Sequence, residues 1–248
     1  ARTAQHRSAM ADFHEAALHY AQQFYPQLGD CQLTKGLKGM LKLGESLPDE
    51  LLHAHPELSS RHNVNIDQAS HLSGVATRLG GIYYPQAGWL VPKAICQALS
   101  GIEGIEFIAN TKVNRLEKTS TTWHAHDHQG NSFDSDIIVI ASGQLSHQFE
   151  QTAWLPLRFL RGQTTDLPAT AESQKLRLAI CQEGYSTPAE SGYHSIGSSY
   201  SKDTEQQLST QDHLDNINKL RASLADNSDW HCQLESSEQS LASLNGRV

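Results

Sequence analysis

The spacing of hydrophobic and polar positions predicts a chain of mixed helices and strands. Residues 8 to 25 carry apolar side chains at helical spacing, which predicts an amphipathic helix ended by Pro26. Residues 211 to 224 show the same period, and residues 91 to 99 predict a helix that begins with Pro92. Elsewhere apolar and polar residues mostly alternate, which is typical of strands with one buried face.

The predicted strands form two series along the chain. The first series covers residues 31 to 43 as two short strands, then 80 to 88, 105 to 108, 113 to 116, 121 to 126 and 132 to 140. The second covers 155 to 166, 176 to 181 and 192 to 200. Residues 64 to 79 show neither period, so we predict irregular structure there. The pattern predicts an α/β (α+β) fold with a β-meander and a mainly antiparallel sheet.

Two segments carry candidate chemistry. Residues 80 to 92 read Gly-Gly-Ile-Tyr-Tyr-Pro-Gln-Ala-Gly-Trp-Leu-Val-Pro, which indicates a chain folded closely against a flat ligand. Residues 136 to 143 carry four β-branched residues closed by Ala-Ser-Gly. This run predicts a strand buried on both faces, whose terminal glycine allows a ligand to approach the backbone. The simpler interpretation is a core strand that ends in a turn.

Composition narrows the class of protein. The chain has 248 residues, 38% of them hydrophobic, and a net charge of −8, which argues against a stand-alone nucleic-acid binder. There is no apolar run of membrane-spanning length and no signal-peptide pattern. The cysteines have no paired spacing, so we expect reduced thiols in a cytoplasmic protein; they are Cys31, Cys96, Cys181 and Cys232.

A histidine-rich strand is the only pattern that suggests a metal. His124, His126 and His128 alternate along one predicted strand, so their side chains share a face. No cysteine or carboxylate set supports them, so an exposed strand face is favoured and we predict no metal site.

Several motifs resemble a known superfamily. Gly104-Ile-Glu-Phe-Ile, Thr111-Lys-Val113, the turn at Gly130 and the strand ending Ala141-Ser-Gly143 occur in the order found in the D-amino-acid-oxidase and glycine-oxidase superfamily. Residues 74 to 98, 140 to 146, 151 to 156, 184 to 188 and 194 to 200 extend this likeness. They resemble the FAD-dependent domain of the bifunctional tRNA 5-methylaminomethyl-2-thiouridine biosynthesis family. The resemblance runs from about residue 8 to residue 248.

The resemblance implies FAD as cofactor and the wobble uridine of tRNA as substrate. In that family the domain oxidises a glycine-derived arm, so that glyoxylate leaves and an aminomethyl group remains. The family's glycine-rich pyrophosphate loop, its later arginine segment and its methyltransferase domain have no counterpart here, so we expect an internal fragment. In the intact protein the methyltransferase domain is expected in the same polypeptide.

The resemblance also implies a set of binding residues. FAD is expected to border Gly88, Trp89, Thr111, Val113, Ala141, Ser142 and Gly143. No catalytic residue is assigned. A substrate carboxylate calls for an Arg or Tyr donor, and the substrate-binding candidates are Arg161, Gln163, Tyr185, Tyr193 and Tyr84.

The resemblance divides the chain into two discontinuous domains. Residues 1–30 and 88–160 are expected to form a partial FAD-binding domain, and residues 31–87 and 161–248 a substrate domain. The predicted function is FAD-dependent removal of the carboxymethyl group from the modified wobble uridine. Two alternatives stay open at this point: a small-molecule amine or amino-acid oxidase of the same superfamily, and a non-catalytic binding module.

Overall fold

The computed structural model describes residues 9–28, 36–48, 61–202, 207–226, 228–231, 234 and 241–248. The α-helices of this part are α1 (Ala9–Gln27), α2 (Ile66–Ser73), α3 (Pro92–Ser100) and α4 (Thr210–Ser223). Short 3-10 segments occur at Gly143–Gln148, Glu150–Thr152, Ser173–Lys175 and Leu241–Ser243.

Eleven strands are defined in the described ranges and are numbered in chain order. They are β1 (Met40–Leu43), β2 (His62–Val64), β3 (Gly81–Tyr84), β4 (Val113–Lys118), β5 (Trp123–Asp127), β6 (Ser132–Ser135), β7 (Arg161–Pro168), β8 (Ala179–Cys181), β9 (Tyr185–Ser186), β10 (Tyr193–Ser201) and β11 (Asn245–Arg247).

The strands form one large and one small sheet. The eight-stranded sheet has the order β11-β7-β10-β9-β8-β1-β3-β2, and the three-stranded sheet has the order β4-β5-β6. Only the pairing of β1 with β8 is parallel among these strands, which confirms a mixed fold with a mainly antiparallel sheet.

The described chain divides into two compact units. The larger unit comprises Ala1–Leu99, Arg161–Ser201 and Glu205–Val248, and the smaller comprises Ser100–Leu160 with Lys202–Thr204. The assignment of an FAD-binding and a substrate domain depends on where ligands bind, so it stays a prediction.

The core of the larger unit lies on one face of the eight-stranded sheet. Successive side chains of a strand point to opposite faces. Along β7, Gln163, Thr165 and Leu167 are therefore buried on one face, while Thr164 and Asp166 lie on the other. The buried cluster includes Leu41, Leu167, Ile180, Ile196, Ile217 and Trp230. Burial of this apolar surface is the main term that stabilises the unit.

A register shift in β10 changes which face its residues occupy. Gly197 lies opposite Thr164, but Ser199, two residues later, lies opposite Gln163, the next position along β7. The extra residue is a β-bulge, which bends the strand and reverses the alternation beyond it. Tyr200 consequently lies opposite Gly162 and is exposed.

Helix α2 differs from the sequence prediction, in which residues 64 to 79 are irregular. The sequence nevertheless carries a capping signal. The Asn65 side chain accepts from the Gln68 backbone N–H, and the Gln68 side chain accepts from the Asn65 N–H, at 2.9 Å each. Gly74 ends the helix in the left-handed region. Residues with this capping geometry begin and end helices whatever the hydrophobic period between them.

The smaller unit is a β-meander, as predicted, but two expected strands are absent from its described residues. The prediction of a buried strand over residues 136 to 140 is wrong, since Ile137 and Val139 are 79% and 82% exposed and β6 ends at Ser135. The strand predicted at residues 105 to 108 is also absent, and its apolar side chains are exposed. Neither run pairs with a described strand.

Other predicted features have separate outcomes. Within the described residues, no helix has the length and apolar character needed to cross a bilayer. Cys96 and Cys181 are free thiols, as expected, and Cys31 and Cys232 lie outside the described residues. The cytoplasmic location stays a prediction.

Candidate active site

An open groove of about 650 Å³ lies on the face of the large sheet that does not carry the core. The residues that α4 contacts on β7 alternate with the groove residues, so helix and groove occupy opposite faces. The sheet side of the groove includes Met40, Thr164, Asp166, Tyr185, Tyr193 and Arg247. Most of these side chains are polar or aromatic, which suits recognition of a polar ligand with a flat part.

The facing wall is the segment from Gly88 to Pro92. This segment crosses the loop at Gly36, where the Trp89 N–H donates to the Gly36 carbonyl at 3.2 Å. A Cβ on Gly88 would lie 2.0 Å from the Gly36 oxygen, so only glycine allows this approach. The crossing fixes the position of Trp89, which lines the groove.

Among the described residues, the charged side chains of the groove are Asp166 on β7, Arg247 on β11 and Glu190. The guanidinium of Arg247 lies 3.9 Å from the carboxylate of Asp166, with side chains 70% and 25% exposed. The hydroxyl of Thr164, which faces Arg247 across the strand pair, is buried and bonds to no described residue. Burial raises the pKa of the Cys181 thiol, which keeps it neutral at pH 7.

Tyr185 and Tyr193, which the sequence suggested as substrate-binding residues, both line the groove, and that role stays a prediction. Tyr185 is half-buried and Tyr193 is exposed at the rim. Their rings supply flat apolar surface, and their hydroxyls can donate to a carboxylate. The structure brings them together with Gly88 and Trp89 around one space.

Arg161 and Gln163 lie on the opposite face of β7, away from the groove. Arg161 forms an ion pair with Asp212 of α4 and donates to Gln163 Oε1 at 2.8 Å, with its side chain 7% exposed. Gln163 also receives the Ser209 N–H at 2.8 Å. These contacts anchor the start of α4 to the sheet. The substrate-binding role of Arg161 and Gln163 stays a prediction.

A buried polar layer joins α4 to β7 behind the groove. The hydroxyl of Thr165 is 2.8 Å from His213 Nδ1, and Asn216 Nδ2 donates to the Gln163 carbonyl at 2.9 Å. Burial lowers the pKa of His213, so its ring is neutral at pH 7. His194 is likewise buried, its pKa lowered, between the Thr187 carbonyl and the Ser173 hydroxyl at 2.8 and 2.9 Å. This layer holds the sheet rather than contacting a ligand.

Tyr84 lies in a second, smaller cavity of about 140 Å³. It is buried, and the cavity is formed with Leu18 and Tyr25 of α1. Its predicted part in substrate binding therefore has no support from the groove, although Met40, Gly88 and Leu90 line both spaces. The role stays a prediction.

The remaining predicted cofactor residues belong to the smaller unit. Thr111 donates its hydroxyl to the Ala109 carbonyl at 3.1 Å, and Val113 begins β4. Ala141, Ser142 and Gly143 are exposed. Gly143 has φ 57°, and nothing lies within 4 Å of the position a Cβ would take. A ligand could therefore approach this backbone without obstruction.

Within each unit, taken by itself, some described residues have features that would suit one part of FAD. A groove of about 650 Å³ falls within the range of roughly 300–1,000 Å³ typical of small-molecule sites. Trp89 offers a flat wall for an aromatic ring, and the open backbone at Gly143 suits a sugar or phosphate. Gly88 and Trp89 belong to the larger unit and Gly143 to the smaller, and their contacts with FAD stay predictions.

No group of metal-ligating side chains occurs among the residues that the structure describes. His124 bonds to Asp134 at 2.7 Å and His126 to Glu117 at 3.1 Å, so both rings already have partners.

Sequence reasoning missed the polar residues of the groove floor. Thr164, Asp166 and Arg247 were not candidates, and Arg247 lies in a strand of three residues that shows no period. The alternation of β7 could have indicated the first two, because buried Leu167 fixes the face of Asp166 and Thr164.

Comparison with known proteins identifies a family. The model of the DAO family, described as FAD dependent oxidoreductase, matches residues 1–232. The bifunctional protein MnmC of tRNA 5-methylaminomethyl-2-thiouridine biosynthesis from Stutzerimonas stutzeri is 35% identical over 200 residues, which is 80% of this chain and 30% of that protein. Its counterpart in Pseudomonas syringae pv. syringae is 33% identical over 224 residues, 89% of this chain and 32% of that protein. The chain thus spans about a third of the length of these relatives.

Solved structures agree on the fold. Glycine oxidase from Bacillus cereus superposes with a TM-score of 0.69 at 15% identity, covering 98% of this chain and 67% of that one. Glycine oxidase from Geobacillus kaustophilus gives 0.66 at 17% identity, covering 91% and 65%. The resemblance seen in the sequence and its cofactor, FAD, are therefore confirmed at the level of the family.

Proposed function

Because the chain belongs to the DAO family of FAD-dependent oxidoreductases, we propose that its groove serves oxidation of a carbon–nitrogen bond during tRNA modification. The substrate is the glycine-derived arm of 5-carboxymethylaminomethyl-2-thiouridine at the wobble position. The observation that carries the proposal is one groove that combines an arginine, Arg247, with the aromatic residues Trp89, Tyr185 and Tyr193. Arginine suits a carboxylate, and aromatic rings suit a base.

The reaction removes two electrons and balances with water. Bound FAD would supply the two-electron acceptor for a hydride from the carbon between the nitrogen and the carboxylate. The resulting imine adds water and divides into the aminomethyl base and glyoxylate. The residues of this chain bind and orient the arm: Arg247 pairs with the carboxylate, and the tyrosines enclose the carbon that reacts.

Residues of the sheet and of the facing segment contact different parts of the substrate. The Thr164 hydroxyl, buried without a partner among the described residues, donates to the carboxylate beside Arg247. Trp89, fixed by the Gly36 crossing, forms the wall against which a flat ring packs. Both contacts orient the arm at the reacting carbon.

Two experiments on the full chain test this function. FAD titration should produce bound flavin absorbance, and a tRNA carrying the modified uridine should then release glyoxylate. Arg247→Gln should lower kcat/KM about 10- to 100-fold, the loss expected for a charge-assisted hydrogen bond. Arg115→Gln changes an exposed arginine of β4 and should leave kcat/KM unchanged. Arg161→Gln tests the candidate from the sequence in the same assay.

The same assay separates the alternatives. Turnover of free N-substituted glycines without turnover of the tRNA would favour a small-molecule oxidase, for which the net charge of −8 is the better match. Failure of the chain to take up FAD would contradict an oxidase role for it and favour a binding module. Loss of activity in Arg115→Gln equal to that in Arg247→Gln would remove Arg247 from the substrate site.

A further inference from the structure

Asp166 is a carboxylate placed in the groove without a structural bond to hold it. It lies on the groove face of β7, directly opposite Ser195 of β10. Among the described residues its side chain makes one ion pair, with Arg247 at 3.9 Å, and no hydrogen bond within 3.5 Å. Glu190 is the other acidic side chain at the groove, and it is exposed at the rim.

The pair with Arg247 is open enough to exchange partners. A direct N–H···O bond spans about 2.7 to 3.2 Å, so a separation of 3.9 Å leaves both groups able to bind a ligand. Arg247 is 70% exposed, and an ion pair with one partner so exposed is weak and screened by solvent. A ligand that bonds to both groups would therefore lose little by separating them.

A substituted glycine matches this pair in charge and spacing. In such a molecule a secondary ammonium and a carboxylate are joined by one carbon, which keeps the opposite charges a few ångströms apart. We propose that Asp166 binds the ammonium nitrogen of the substrate while Arg247 binds its carboxylate. Asp166 is then a specificity-determining residue that selects charged amines. This inference rests on the proposed function, since it concerns the same groove.

A carboxylate in this position also affects the proton on the amine. An opposite charge nearby favours the charged form, so Asp166 raises the pKa of the bound ammonium. The nitrogen must lose that proton before the adjacent C–H bond can release a hydride. Asp166 therefore tightens binding and moves the rise of kcat with pH to higher pH. In Asp166→Asn, kcat should reach its plateau at lower pH.

A pair of ligands isolates the ammonium contact. N-methylglycine and methoxyacetate have the same length and the same carboxylate, but the ether oxygen replaces the ammonium. The dissociation constants are measured by ligand-observed NMR on the full chain, with and without FAD. The native chain should bind N-methylglycine about 10-fold or more tightly than methoxyacetate, as expected for a charge-assisted hydrogen bond.

Variants assign the preference to one residue. Asp166→Asn, which keeps the side-chain shape, should bring the ratio of the two dissociation constants to about 1. Arg247→Gln should weaken both ligands by similar factors and keep the ratio. Glu190→Gln is the matched control, since it removes the other groove carboxylate, and its ratio should equal that of the native chain.

The outcomes separate this inference from the proposed function. A native chain without preference for N-methylglycine overturns the ammonium contact before any variant is made. A preference that persists in Asp166→Asn overturns the assignment to Asp166, and so does a variant that loses thermal stability but keeps the ratio. A lost preference together with absent glyoxylate release from tRNA would retain Asp166 as the amine contact and reject the tRNA reaction.

Discussion

The two compact units use hydrophobic residues in opposite ways. In the larger unit the eight-stranded sheet buries Leu167, Ile180 and Ile196 on one face. In the smaller unit Leu116 is buried, whereas Ile137 and Val139 are exposed. Both units contain apolar runs of similar strength in sequence, so the run alone does not decide burial. What decides it is whether a partner strand or helix is present to cover the run.

The largest expected difference between the units concerns truncation of an aliphatic side chain. Leu167→Ala should lower the free energy of unfolding of the larger unit by about 3 kcal/mol, because it leaves a cavity in a closed core. Ile137→Ala should change that of the smaller unit by less than about 0.5 kcal/mol. Urea titration with fluorinated tryptophan checks both, since Trp230 reports on one unit and Trp123 on the other.

A large loss in Ile137→Ala would show that its side chain is covered in solution, and the contrast between the units would then fail at that position. Equal losses at Trp230 and Trp123 in Leu167→Ala would mean that the units unfold as one cooperative block.

A smaller loss of stability is expected at two glycines. Gly88 is required by a close contact, and Gly143 by its backbone conformation. Gly88→Ala should cost about 2 kcal/mol, typical of overpacking, because the added Cβ meets the Gly36 oxygen at 2.0 Å. Gly143→Ala should cost about 1 kcal/mol from its φ of 57° alone, since no atom lies near the added Cβ. Chemical denaturation measures both values.

The indole N–H signals of the tryptophans provide the second measurement. Gly88→Ala should move the Trp89 signal and leave Trp123 and Trp154 in place. An unmoved Trp89 signal would show that the crossing with Gly36 does not set the groove wall.

The smallest effect is the pH dependence of stability. Burial lowers the pKa of His213 and His194 below the ordinary 6.5, so the stability they contribute is present above that pH and lost as pH falls below it. In the smaller unit, the hydrogen bonds from Asn131 lower the pKa of Asp127 below 3.8, so its contribution is lost only under more acidic conditions. Between about pH 7.5 and 5 the urea midpoint of the larger unit alone should fall.

His213→Asn should flatten this dependence in the larger unit, because a neutral amide replaces the ring that must stay uncharged. If the midpoints of both units fell together over the same pH interval, the histidines of the polar layer would not be the cause.

Sequence alone predicted those parts of the fold that depend on neighbouring residues. The helix at residues 211 to 224 and the hairpins of the meander follow from local periods and turns. Helix α4, β4 and β5 lie close to the predicted ranges, whereas β6 ends at Ser135 rather than at residue 140. The prediction for residues 136 to 140 was wrong because burial of a strand depends on partners elsewhere in the chain. Helix α2 was missed because its evidence lies in the cap at Asn65 and Gln68, outside the hydrophobic period.

The candidate site residues likewise divide into those with a local sequence signal and those without one. Trp89 was a candidate as a neighbour of FAD, and Tyr185 and Tyr193 as donors to a carboxylate, without reference to the sheet, and all three line the groove. Asp166 and Arg247 needed the pairing of β7 with β11, which joins residues about 80 positions apart and leaves no local signal. The sequence suggested Arg161 from its residue type alone. In the structure, the alternation along β7 turns its side chain to the face opposite the groove.

The bulge in β10 makes the sheet sensitive to changes in chain length. The shift between Gly197 and Ser199 places Tyr193 and Ser195 on the groove side and Ser199 on the helix side. Odd-numbered residues of β10 therefore face the groove before the shift and the helix after it. Deletion of a residue beyond the bulge, such as Ser199, would move Tyr200 to the position opposite Gln163 and so to the helix side, whereas deletion of Ser198 would leave Tyr200 opposite Gly162. A change in chain length beyond the bulge therefore changes the face of every later residue of β10, whereas a substitution changes a single side chain.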